Sequence, residues 1–185
     1  TETITITYGS GGGTSGVTVP GTAATYTFTT ASQISANGTL TNIATSPTVT
    51  VSDKITVATT GTQTASLTGP ATAQFVGGAW TLVRTGGSAN VTQIVVKETG
   101  TVTANSQLSN LKLYYDTAAS CSTANPAATA TAFNATGVGF NASEQATATG
   151  TMAVGTTTVC VYAVLDIGTG TGDGDGKTLE LEITD

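Results

Sequence analysis

The side chains that carry most enzymatic chemistry are scarce in this chain. Its 185 residues include no histidine. The usual acid–base group near neutral pH is therefore missing, and neither a Ser-His-Asp nor a Cys-His arrangement can be built. Paired carboxylates alone would serve a glycosidase, but the 11 acidic residues are scattered. Most of them fall beside turns or on the outward positions of alternating segments. One Trp, five Tyr and four Phe are also a thin supply for a sugar-binding cleft. The chain reads as a non-enzyme with no catalytic residues.

Cysteine occurs twice, at Cys121 and Cys160. Two thiols without histidine do not make a zinc site. A disulfide is the favoured reading, and it implies an oxidising compartment. The alternative is two free buried thiols in a cytosolic protein.

The sharpest metal candidate is GTGTGDGDGKTLE at 168–180, where Asp173 and Asp175 stand two apart and Glu180 follows. Oxygen ligands at short spacing in a flexible loop suit calcium. The spacing is not that of an EF-hand, and Lys177 stands where a third acid would be needed. A plain Gly/Asp hairpin loop explains the same residues. No cofactor is expected, with calcium the one candidate.

Four sequons offer modification sites, at Asn37, Asn90, Asn134 and Asn141. Asn37 sits in an S-A-N-G-T turn, Asn90 follows Gly-Gly-Ser, and Asn134 and Asn141 flank GVGF. Turn placement predicts exposure. N-linked glycans would also keep soluble a surface with only 9% charged residues and a mean hydropathy of +0.16.

The elements that must hold these residues are strands. Threonine dominates the composition and suits a pleated, half-wet surface. Strand-length apolar runs recur along the chain, which excludes disorder. ATYTFTT (24–30) and KTLELEITD (177–185) alternate cleanly, and in the latter Leu179, Leu181 and Ile183 oppose Glu180, Glu182 and Thr184. QLSNLKLYYD (107–116) places Leu108, Leu111, Leu113 and Tyr115 among polar neighbours. TTTVCVYAVLDI (156–167) is the most apolar segment and reads as a central strand. Gly77-Gly78, inside AQFVGGAWTLVRTGG, is a hairpin signal. The Ala-rich stretch 117–136, with Pro126, reads as a loop rather than a helix. Ten or more short strands predict an all-β fold, a single β-sandwich of Ig-like or jelly-roll-like kind.

Lys and Arg number 5 and the net charge is −6, which excludes nucleic acid as a partner. The longest apolar run, VCVYAVL at 159–165, falls short of the ~18 residues of a membrane helix. The long apolar N-terminal helix of type IV-like pilins is likewise missing. No signal peptide opens the chain, which reads as a mature product.

The N-terminal stretch TETITITYGSGGGTSG raises a different question. Ile4, Ile6 and Tyr8 alternate with threonine, so they share one face of a strand. A Gly/Ser linker then follows, where a strand bound for its own sheet would have a tight turn. Read plainly, this is the first strand of the chain's own sheet. Read sharply, it is a donor strand (residues 1–9) on a linker (10–16) attached to a globular domain (17–185). Such a strand completes the sheet of a neighbouring copy and covers its open edge. Repeated head to tail, the contact is heterologous and does not close, so it builds a filament.

The Thr/Gly/Ala-rich, Lys-poor, sequon-bearing character of TETITITYGSGGG, LSNLKLYYD (107–115) and VCVYAVLDIG…KTLELEITD resembles the subunits of archaeal extracellular filaments built by donor-strand complementation, the threads and bundling pili. The resemblance implies an N-terminal donor strand, glycosylated asparagines, copies of itself as partner, and a structural role at the cell surface in adhesion or cell–cell contact. Bacterial chaperone–usher pilins share the principle with a less similar composition. The alternative is a non-polymeric surface module, such as an S-layer, adhesin or carbohydrate-binding domain. That reading needs the first strand to pair in cis and a visible aromatic or acidic binding site.

Overall fold

The computed structural model describes residues 23–33, 35–64, 66–168 and 176–184. Ile4, Ile6, Tyr8, the 10–16 linker, Asp173 and Asp175 lie outside them, as do the expected boundaries at 9/10 and 16/17. The chain divides into two compact units, Thr1–Asp53 and Lys54–Asp185. The fold is all-β.

In the first unit β1 (Ala24–Thr27) pairs antiparallel with β4 (Thr48–Val51), from Ala24 opposite Val51 to Thr27 opposite Thr48. Between them β2 (Ala31–Ser32) pairs with β3 (Thr41–Asn42). No described residue of this unit is buried. Threonine pairs such as Thr25 and Thr50, whose hydroxyls meet at 3.1 Å, supply contacts between the strands.

The second unit holds the core. In chain order it contains β5 (Ile55–Gln63), β6 (Ala71–Phe75), β7 (Gly77–Arg84), β8 (Ala89–Glu98), a single helical turn α1 (Ala104–Gln107), β9 (Leu108–Thr117), β10 (Thr131–Ala132), β11 (Gln145–Val154), β12 (Val159–Ile167) and β13 (Leu181–Thr184). One sheet has the order β10-β9-β12-β7-β5, with β6 also on β12. The other has the order β11-β8-β13. Both contribute to one apolar cluster. It includes Trp80 and Leu82 from β7, Ile94 and Val96 from β8, Leu111 and Leu113 from β9, Met152 and Val154 from β11, and Val161, Ala163 and Leu165 from β12.

β12 is central, as its composition predicts. Residues 159–165 are all buried, because odd positions point into the core and even ones are covered on the opposite face. There Cys160 is bonded to Cys121, with S–S 2.04 Å and Cα–Cα 5.6 Å. Tyr162 stacks edge-on against Phe75 with ring centroids 6.1 Å apart. Its hydroxyl accepts from the Ser122 backbone N–H at 2.9 Å and donates to the Asp116 carboxylate at 3.2 Å. Burial pushes the Tyr162 phenol up from its ordinary value, and the Asp116 charge adds to the effect. The Ala-rich stretch after β9 is mostly loop, with one 3-10 turn at Pro126–Ala128.

The Gly77-Gly78 hairpin does not form. β6 and β7 lie end to end along the same side of β12, β6 against Val164–Ile167 and β7 against Val159–Val161. The two glycines, at φ +81° and +65°, form a bulge instead. Positive φ serves a bulge as well as a turn.

A candidate strand-accepting edge

β5 is an edge strand of nine residues, ITVATTGTQ, without charge or proline. Among the described residues its one ladder partner is β7. Long uncharged edges of this kind are templates for another strand, because their outer N–H and C=O groups face away from the sheet unpaired.

Register decides which side chains face inward. Val57 lies opposite Leu82, and Thr59 lies opposite Trp80. Directly opposed residues share a face, and Leu82 and Trp80 belong to the core. Val57 and Thr59 therefore point to the core side. Nevertheless Val57 is 44% exposed, and Thr59 is also exposed. The three-stranded second sheet, whose edge on this side is β13, does not cover them.

At the far end of β5 a cavity of about 250 Å³ opens between the sheets. Trp80 and Leu181 are its large apolar lining, Gly61, Gly77 and Gly78 line it without side chains, and Thr59 and Gln63 add polar groups. Among the described residues no titratable side chain lines it. The three glycines have φ of +77°, +81° and +65°, at the register shift between Thr60 and Gln63. Gln63 closes this end by donating from Nε2 to the Leu179 carbonyl at 3.0 Å. The arrangement offers backbone pairing and apolar burial, not bond chemistry.

The expected sites fare unequally. The disulfide is present. Asn37, Asn90 and Asn141 are exposed, with Asn37 in the turn closed by Gly38 N–H to Ser35 carbonyl at 2.9 Å. The Asn141 side-chain oxygen accepts from Ser143 and Gln145 N–H at 2.8 and 3.1 Å. Asn134 is a correction. It is 2% exposed, its Oδ1 accepts from Leu113 N–H at 2.7 Å, and its Nδ2 donates to the carbonyls of Leu111 and Thr136 at 3.0 and 2.9 Å. Both amide hydrogens are engaged in a packed interior, so a glycan on Nδ2 and this fold exclude each other. Glu180 is exposed, and among the described residues no group of three His, Cys, Asp or Glu side chains could hold a metal.

One residue escaped the sequence reading. Glu98 ends β8 on the row of Ile94 and Val96 and is 4% exposed. Its Oε1 accepts from the Gly100 N–H at 2.6 Å and the Glu180 N–H at 3.3 Å, tying the approach to β13 onto β8. Burial raises its pKa above the ordinary carboxylate value. The two N–H donors oppose the rise, while repulsion from Glu144 and Glu180 adds to it. The signal was parity: an acid two residues beyond two core-facing positions. Comparison with protein-family models, curated proteins and solved structures yields no match.

Proposed function

We propose that this chain is a structural subunit of an extracellular filament of the archaeal thread or bundling-pilus type, serving adhesion or cell–cell contact. It polymerises head to tail as residues 1–8 of one copy pair with the open edge of β5 in the next. The observation that carries the reading is the uncovered core side of that edge, where Val57 stands 44% exposed beside Trp80 and Leu82, the two buried residues of β7. An incoming strand would satisfy the outer backbone groups of β5 and cover Val57 and Thr59. Ile4, Ile6 and Tyr8 recur at the two-residue period required to face the same side. Each such side chain contributes about 2 kcal/mol on burial, to which the backbone ladder adds.

The disulfide fits an oxidising, extracellular setting. Asn37, Asn90 and Asn141 are the sequons exposed for N-linked glycans.

Negative-stain microscopy of the full chain and of a chain lacking residues 1–9 tests the assignment. Filaments are expected from the first and none from the second. Filaments that persist without residues 1–9 would sink it.

A further inference from the structure

We infer that the cavity between β5, β7 and β13 seats the Tyr8 ring of a second copy, and that this fixes the inserted strand parallel to β5. The inference rests on the strand-insertion reading above and adds a direction and a register to it. The core-side row of β5 runs Val57, Thr59 and then Gly61 at the bulge. An inserted strand with a two-residue period presents three side chains to those three positions. Parallel insertion sets Ile4 against Val57, Ile6 against Thr59 and Tyr8 against Gly61. Antiparallel insertion exchanges Ile4 and Tyr8.

Size and chemistry separate the two directions. At Val57 the row is occupied by side chains, with Leu82 beside it, and the branched Ile4 fits there without displacing anything. At Gly61 the lining glycines leave the cavity of about 250 Å³, which an isoleucine would leave partly empty. Unfilled apolar space forfeits contacts. A phenol ring fills more of it, lies against Trp80 and Leu181, and brings its hydroxyl among Thr59, Gln63 and the backbone at the bulge. Tyrosine suits a site that is apolar at its floor and wet at its mouth. The described lining is made of uncharged residues, which matches an uncharged guest.

Cysteine pairs in the full-length chain test this. Positions 4 and 8 of an extended strand lie about 13 Å apart, so only one of them can reach a given β5 residue. Filaments of the Ile4→Cys/Val57→Cys chain are expected to give a ladder of covalent multimers on a non-reducing gel after mild copper-phenanthroline oxidation. Those of Tyr8→Cys/Val57→Cys are expected to stay monomeric. The reverse pattern would overturn the parallel register and the seating of Tyr8 while leaving the filament reading in place. Ile6→Cys/Thr59→Cys lies near the middle of the row and links in either direction. Filaments that link in none of the three chains would overturn β5 as the acceptor. Wild-type protein that forms no filaments would instead remove the reading on which the inference stands. Should the Tyr8→Cys chain fail to assemble, Tyr8→Phe against Tyr8→Ala decides. Seating of the ring predicts a critical concentration near wild type for the first and at least tenfold higher for the second, and equal values for both would overturn it.

Discussion

Val57 and Leu82 face each other across the β5–β7 ladder on the same side of the sheet, yet Leu82 is 3% exposed and Val57 44%. One is inside the sandwich and the other is at its unfinished border. A substitution that spares the monomer and harms assembly is therefore available. Val57→Lys places a charge where the proposed strand would lie, a common way of blunting an edge. It is expected to abolish polymers and to shift the unfolding midpoint of the monomer little, within the ~0.5 kcal/mol usual for exposed sites. Light scattering beside chemical denaturation checks both halves. Undiminished polymerisation would speak against β5.

The Cys121–Cys160 bond closes a loop with a sequence separation of 39. In the chain-entropy picture such a cross-link stabilises by about 3–4 kcal/mol. It also fastens the segment after β9 to β12 beside Tyr162. Replacing both cysteines by serine is expected to lower stability by that order, and the 118–130 loop is expected to become the first site of protease cleavage. A double variant as stable as the wild type would show that the Tyr162–Ser122 and Asn125–Ala73 hydrogen bonds suffice to hold the loop.

Asn134 distinguishes a sequon from a structural amide. Glycopeptide mass spectrometry of native material is expected to find no glycan on Asn134, whereas Asn37, Asn90 and Asn141 remain open to modification. Asn134→Ala leaves Leu113 N–H and the Leu111 and Thr136 carbonyls without this partner. Its expected cost is about 1–3 kcal/mol. A glycan on Asn134 in folded protein would contradict the packing described here.

Glu98 gives the stability a pH dependence of unusual sign. Its carboxyl titrates above the ordinary value in the fold, so the folded state holds the proton more tightly than the unfolded chain does. The stabilising contribution of protonated Glu98 is complete below the unfolded value and is lost as pH rises through the raised folded value. Acid thus favours this part of the fold, where β13 is tied to β8. Together with the small number of acids and only 5 cationic partners for them, this predicts a protein that keeps its fold between about pH 5 and 3, the range where ordinary carboxylates titrate. Glu98→Gln keeps an acceptor oxygen and removes the titration, so its urea midpoint is expected to vary less as pH rises from the ordinary carboxylate value through the raised folded one. A variant with the wild-type slope would assign the dependence elsewhere.

Much of the fold was legible because period-two patterning reports burial directly. β13 and the residues leading into it read out as Leu179, Leu181 and Ile183 against Glu180 and Glu182, and the unbroken apolar run of β12 marks a strand covered on both faces. What failed to show through has physical reasons. Gly77 and Gly78 supply positive φ, which a bulge and a hairpin both require. A tripeptide motif at Asn134 carries no record of where its side chain points. Leu108 and Leu111 both face the core despite their odd spacing, because Asn110 takes φ +53° and bulges the strand between them. The open edge at β5 was invisible for a different cause. Exposure of Val57 depends on the second sheet stopping short, a property of the whole sandwich and not of the ITVATTGTQ sequence.

The central claim is that residues 1–8 of one copy complete the sheet of another at β5. Cryo-electron microscopy of the native assembly measures this directly. The account predicts a filament in which an extended strand from the neighbouring subunit lies along Ile55–Gln63, with Ile4, Ile6 and Tyr8 turned toward Val57, Thr59 and Trp80. A map in which residues 1–8 pair within their own subunit, or in which β5 stays bare, would contradict it.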